Sequence, residues 1–207
     1  MALEIKPPKV SLRWEIAADA SKKWHPVQAA KSDDRSISIY DGIGEQWDGS
    51  GTTVKRISAA LRGMGAGDVT VNVNSPGGDM FEGLSIYNTL KAHDGKVTVN
   101  VLGIAASAAS LIAMAADELR IAESGFLMIH NAWSGVMGNR HDFQDAADIF
   151  QKFDNSMAGL YAKRTDKTRT DMAKLMDAET YLTGAEAIEQ GFADSFLPTD
   201  EIEVVKD

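Results

Sequence analysis

Through the middle of the chain, short runs that alternate apolar with polar residues give way repeatedly to runs whose apolar residues recur every three or four positions. The first period is that of a strand and the second that of a helix. SISIY at 36–40 reads as a strand, and TTVKRISAALRGM at 52–64 sets Val54, Ile57, Leu61 and Met64 on one helical face before Gly65. The pattern then repeats. VTVNV at 69–73 is a strand, NSPGGD a sharp turn, and MFEGLSIYNTLKAH at 80–93 a helix. A third strand at 97–101 is followed by a turn at 102–106, a helix from about 107, strand-like ELRI at 118–121 and the apolar strand FLMIH at 126–130. Strands alternating with helices predict βαβ units around a mainly parallel sheet, with reactive side chains at the carboxyl ends of the strands.

Beyond His141 the periodicity is helical. Phe143, Ala146, Phe150, Phe153, Met157 and Leu160 form a stripe at steps of three and four, expected to lie on the core or on a neighbouring subunit. Thr183-Gly-Ala-Glu186 has the spacing of a capping box for a short helix that stops at Gly191. Residues 1–35, with Pro7-Pro8 and a mixed charge run, read as an N-terminal arm or a pair of edge strands, and 197–207 as a short acidic tail.

At 207 residues the chain is long enough for one large domain with arms. The absence of cysteine removes disulfides, thiolate nucleophiles and cysteine-based zinc sites, and suits a reducing compartment. A net charge of -9 argues against nucleic acid as a partner. Nine acids face Lys206 alone between Asp177 and Asp207, which reads as a solvated acidic face. The uncharged run Val97–Ala116 is long enough to span a bilayer, but Asn100, Gly103, Ser107, Ser110 and many alanines favour a buried strand-turn-helix. With no continuous apolar stretch at the start, no secretion signal is expected, and the expected location is the cytoplasm.

Three features carry candidate chemistry. Asn74-Ser75-Pro76-Gly77-Gly78 follows a strand, and its paired glycines allow consecutive N–H groups to point at an anionic oxygen. It is equally a plain tight turn, and it is not a phosphate loop, since no Gly-Lys-Ser/Thr follows. Gly103 to Ser110 forms a second strand-to-helix junction, where Ser107 is either an N-cap or a hydroxyl raised into a cleft, as on a nucleophile elbow. His130, at the end of FLMIH, is either a satisfied core histidine or a base facing that cleft. His25, His93 and His141 read as exposed, and four dispersed histidines without metal-ligand spacing predict no metal site. Hydroxyl attack on a carbonyl needs a base, a group that orients the base, and donors for the oxyanion. Glu179, with Asp177 as the alternative, is the candidate orienting acid, and either is equally readable as surface charge.

Taken in order, NSPGGDMFEGLSIYNTL, GIAASAAS, MIH and ETYLTGAEAIEQGFADS resemble the proteolytic subunit of the Clp protease (ClpP) and its phage relatives, over roughly residues 36–196. The resemblance implies a crotonase-like ClpP α/β fold, a serine endopeptidase without cofactor, and stacked homo-oligomeric rings with the 142–162 helix as the handle between them. By position it makes Ser107 the nucleophile, His130 the general base, and the amides of Gly78 and Ala108 the oxyanion hole. Glu179 falls where the family usually has aspartate. Ala108-Ala109 and Asn131-Ala132-Trp133 replace the Met-Gly and Gln-Pro of housekeeping subunits and look more like head maturation proteases of tailed phages, which cut scaffold and capsid proteins. The rival expectations are a housekeeping peptidase served by a Clp ATPase, an inactive ring-forming relative, a crotonase-type acyl-CoA enzyme, and a Ser-Lys peptidase using Lys91 or Lys96.

Overall fold

A computed structural model describes residues 35–198. The N-terminal arm up to residue 34, His25 within it, and nearly all of the acidic tail therefore lie outside the described residues. Seven strands and six helices follow one another as β1 (Ser36–Ile39), α1 (Val54–Met64), β2 (Val69–Ser75), α2 (Met80–Lys91), β3 (Val97–Ala106), α3 (Ala108–Ala113), β4 (Glu118–Ile121), β5 (Phe126–Ile129), α4 (Arg140–Thr165), α5 (Arg169–Asp177), β6 (Thr180–Thr183), α6 (Gly184–Glu189) and β7 (Ser195–Phe196). Strand order is β1-β2-β3-β4-β7, with β5 pairing β3 and β6. Every pairing is parallel except that of β5 with β6. This is the α/β architecture the alternating periodicity predicts.

Strand alternation decides which face is core. Val69, Val71 and Val73 of β2 are fully buried beside Val97, Val99 and Val101 of β3, while Thr70, Asn72 and Asn74 turn to the half-buried opposite face. Each such valine contributes about 1.5–3 kcal/mol by leaving water. On the polar face, Asn100 Nδ2 donates to Asn72 Oδ1 at 3.1 Å, and Asn74 Oδ1 accepts the Ile104 N–H at 3.2 Å.

β3 runs five residues further than its valine-rich start predicts. Its first half pairs β4 (Thr98↔Glu118 to Val101↔Ile121) and its second half pairs β5 (Ile104↔Phe126 to Ala106↔Met128). Gly103, Ala105 and Ala106 have poor strand preference, but a second parallel neighbour supplies the missing hydrogen bonds. Helix α5 and strand β7 were not predicted.

The long helix α4 divides into two halves. Met157, Ala158, Tyr161 and Thr165 are buried, whereas Phe143 and Ile149 stay exposed on the N-terminal half. The predicted apolar stripe therefore meets the core only at its C-terminal end. The predicted capping box on α6 forms in both directions, Thr183 N donating to Glu186 Oε2 at 2.9 Å and Glu186 N to Thr183 Oγ1 at 3.3 Å. His93 departs from its expected exposure: it is half-buried, with Nε2 2.7 Å from the Gly67 carbonyl. His141 is exposed as expected. Among the described residues no helix is long and apolar enough to cross a membrane, and the run at 97–116 is divided between β3 and α3.

Arg35 closes the sheet's outer corner. Its guanidinium donates to the carbonyls of Asp68 (2.7 Å), Met64 (2.6 Å), Gly65 (3.1 Å) and Gly67 (2.9 Å), binding the start of β1 to the α1–β2 turn. Arg35→Ala is expected to cost about 1–3 kcal/mol, since several charge-assisted bonds vanish together. A urea midpoint indistinguishable from that of the unmutated chain would contradict this.

Candidate active site

The register of three strands assembles the site. In the parallel β3–β5 ladder Ala106 lies opposite Met128, and the next amide, Ser107 N–H, donates to the Met128 carbonyl at 3.0 Å. Two residues past Met128, the imidazole of His130 comes to Ser107, with Nε2 2.7 Å from Oγ. β6 runs antiparallel to β5 and pairs Thr180 with Ile129, so Glu179 is next in register opposite His130.

Ser107 is held in a conformation that side chains avoid. Its φ of 53° and ψ of -124° belong to a tight turn that favours glycine, at a cost on the order of 1–3 kcal/mol. The surroundings offset that cost. The Ser107 carbonyl accepts Ser110 N–H at 3.0 Å and Ser110 Oγ–H at 2.7 Å, and Ser110 Oγ lies 2.8 Å from the hydroxyl of Tyr161 on α4. Because Ser110 gives its proton to the carbonyl, Tyr161 must donate to Ser110. Complete burial pushes the Tyr161 hydroxyl far above the usual phenol range and keeps it a donor.

Burial lowers the pKa of His130 below its ordinary 6.5, opposed by the negative charges of Glu179 and then Asp154. The imidazole is therefore neutral at pH 7, the form that accepts a proton. Among the described residues, its side-chain hydrogen bond is the one at Nε2; Glu179 acts on it through space. Glu179 sits at φ 49°, and it accepts a hydrogen bond from Tyr181 that, after burial and the carboxylate's charge, helps raise the tyrosine's pKa. Asp177 is engaged elsewhere, its Oδ1 accepting Asn131 Nδ2 at 2.7 Å. So the expected serine and histidine meet, while neither expected acid hydrogen-bonds the ring.

Opposite the serine, the Gly77-Gly78 turn passes very close. A Cβ on Gly77 (φ 92°) would lie 2.5 Å from the Ala106 carbonyl oxygen and 2.7 Å from Ser107 Cβ. A Cβ on Gly78 (φ 150°) would lie 2.2 Å from the Ile43 carbonyl oxygen. Ile43 N donates to the Gly77 carbonyl and Asp79 N donates to the Ile43 carbonyl, both at 2.9 Å, leaving the Gly78 N–H unused by that ladder. Ala108 is the first residue of α3, where an N–H has no intrahelical acceptor. Gly78, Ala108, Ser107 and His130 all line one cleft of about 350 Å³, whose apolar wall includes Phe81, Phe150, Phe153 and Met157.

Residues 20–200 match the family model described as Clp protease. The chain belongs to the Clp protease family. Similar to this family member is the ATP-dependent Clp protease proteolytic subunit of Deinococcus radiodurans, 28% identical over 132 residues, which cover 63% of this chain and 65% of that relative. Among solved structures, a ClpP1 point mutant from Listeria monocytogenes shares the fold, with a TM-score of 0.70 at 21% identity over 82% of this chain and 95% of that one.

In this Clp protease family member, the lysines considered for a Ser-Lys site lie at the wrong end of the sheet. Lys96 precedes β3 and pairs with Glu118 at 2.5 Å, and Lys91 pairs with Asp117 at 3.5 Å. Ten strand residues, about 33 Å, separate Lys96 from Ser107. Sequence reasoning gave no role to Ser110, Tyr161, Asn131 or Asp154: Ser110 and Asn131 lie in recognisable segments but their partners are distant, and Tyr161 and Asp154 are ordinary residues of a helix.

Gly77→Ala is expected to displace the serine, because the methyl meets backbone and the φ disfavours alanine. Loss of about 2 kcal/mol or more by denaturation, together with weaker labelling of Ser107 by a fluorophosphonate, is the expected result; unchanged labelling would contradict it.

Proposed function

We propose that this chain is a serine endopeptidase acting through an acyl-enzyme. The observation that carries the reading is the 2.7 Å approach of His130 Nε2 to the hydroxyl of Ser107 in the cleft that Gly78 and Ala108 also line. His130 takes the Ser107 proton as Oγ attacks the scissile carbonyl carbon. The N–H groups of Gly78 and Ala108 donate to the oxyanion, and the imidazolium then protonates the leaving amine. Water, deprotonated by the same imidazole, releases the acyl group. Glu179 stabilises the imidazolium by its charge. Membership of the Clp protease family supports this assignment.

For the biological role we favour maturation of phage heads, with scaffold and capsid proteins as substrates and the chain assembled in stacked rings. The Ala108-Ala109 and Asn131-Ala132-Trp133 spellings favour it. The likeness to an ATP-dependent proteolytic subunit favours the second reading, a housekeeping peptidase fed by a Clp ATPase. Cleavage of a cognate scaffold protein without ATP separates the two, because the second reading requires an unfoldase.

Ser107→Ala is expected to lower kcat by about 10⁴-fold or more without moving the thermal midpoint; retained peptide turnover would end the acyl-enzyme reading at Ser107, and no turnover by the unmutated chain would leave the inactive ring as the successor. Because the base must be unprotonated and burial lowers its pKa, the acid limb of kcat/KM is expected below pH 6.5. An acid limb above that value would show that burial does not govern the base.

A further inference from the structure

Asp154 lies on α4 between Phe153 and Met157, two side chains of the cleft wall. It is half-buried, and its Oδ1 accepts the Ala132 N–H at 2.8 Å. Ala132 is two residues past His130, and the intervening Asn131 donates to Asp177. Carboxylates from two helices thus tie consecutive residues of the segment leaving the base. Asp154 makes no ion pair with any lysine or arginine among the described residues. A partly desolvated carboxylate with one backbone hydrogen bond and no cation is costly unless a positive charge answers it. The positive charge available is the one His130 acquires during reaction.

We propose that Asp154 is a positioning residue for His130: it anchors the 131–132 segment to α4 and supplies, alongside Glu179, the negative charge that the imidazolium meets. This rests on the peptidase reading for its catalytic consequence, but the charge coupling stands apart from it. The groups that act on the imidazole are Ser107 at the end of β3, Glu179 just before β6 and Asp154 on α4; Tyr181 on β6 hydrogen-bonds Glu179, and Asp177 at the end of α5 acts on Asp154. Each of the two carboxylates raises the pKa of His130, and His130 in turn lowers that of Asp154, which burial first and Asp177 later push upward. Asp154 thus links the handle helix to the base as well as to the cleft wall.

The test is Asp154→Asn in the full chain, which keeps an acceptor for Ala132 N–H and removes the charge. Imidazole NMR titration, with the His130 signal assigned by its loss in His130→Ala, should show the His130 midpoint lowered by about half a pH unit or more. Hydrolysis of a peptide ester should fall about tenfold in kcat with little change in KM, and its acid limb should move to lower pH. Asp154→Glu should bring the midpoint back. An unmoved midpoint, or an unmoved kcat in a chain that turns over, overturns the proposal. A moved midpoint in a chain with no turnover at all sinks the peptidase reading and leaves the coupling standing. Should Asp154→Asn not fold, the unmutated chain still decides: its Asp154 carboxyl carbon should show an inflection at the His130 midpoint, and the lack of one overturns the proposal.

Discussion

The hydrogen bond from Ser107 N–H to the Met128 carbonyl closes the fork of β3, and the site depends on it. A strand that pairs β4 along its first half and β5 along its second must give β5 its own direction out of the sheet. That divergence is what carries His130 to the end of β3 instead of to the end of a neighbouring, evenly spaced strand. The last ladder bond of β5 is donated by the residue whose hydroxyl the imidazole meets, so strain at Ser107 and placement of His130 have one cause. Loops of independent length would hold the 2.7 Å approach far less firmly.

The second constraint is electrostatic. Around one half-buried imidazole stand the carboxylates of Glu179 and Asp154, with Asp177 acting on the latter, and among the described residues no lysine or arginine forms an ion pair with Asp154. Burial favours the neutral ring while the carboxylates favour the charged one. The balance lies on the neutral side, with negative charge waiting for a proton to arrive. The negative charge near the ring comes from two groups, one beside a strand end and one on a helix.

α4 joins these parts. Its buried end hands the Tyr161 hydroxyl to Ser110, and through it to the Ser107 carbonyl, while Asp154 takes the amide of Ala132. Phe153 packs edge-on against Phe81 of α2, with ring centroids 5.3 Å apart, and fills the cleft wall between them. One helix therefore touches the turn at Ser107, the segment after His130 and the cleft. Its other half projects with Phe143 and Ile149 exposed.

Most of the fold was legible in one dimension because it depends on local periodicity. Valines at every second position, caps such as Thr183, and glycines before sharp turns act within a few residues of themselves, so strands, helices and the α6 capping box could be read from spacing. The motifs around Gly78, Ser107 and His130 were visible for a similar reason: each ends a strand, where a parallel sheet presents side chains. The far half of β3 was not legible, since alanine and glycine become strand only when a second neighbour offers hydrogen bonds. Nor was the role of the carboxylates. Register sets Glu179 opposite His130 without a hydrogen bond, packing of α4 brings in Asp154 from 24 residues away, and Asp177 is drawn off by Asn131. Residue types and order determined that a serine, a histidine and an acid were available. Only the folded chain decided which acids act on the ring, because charge acts through distance and burial, and neither exists until distant segments are packed together.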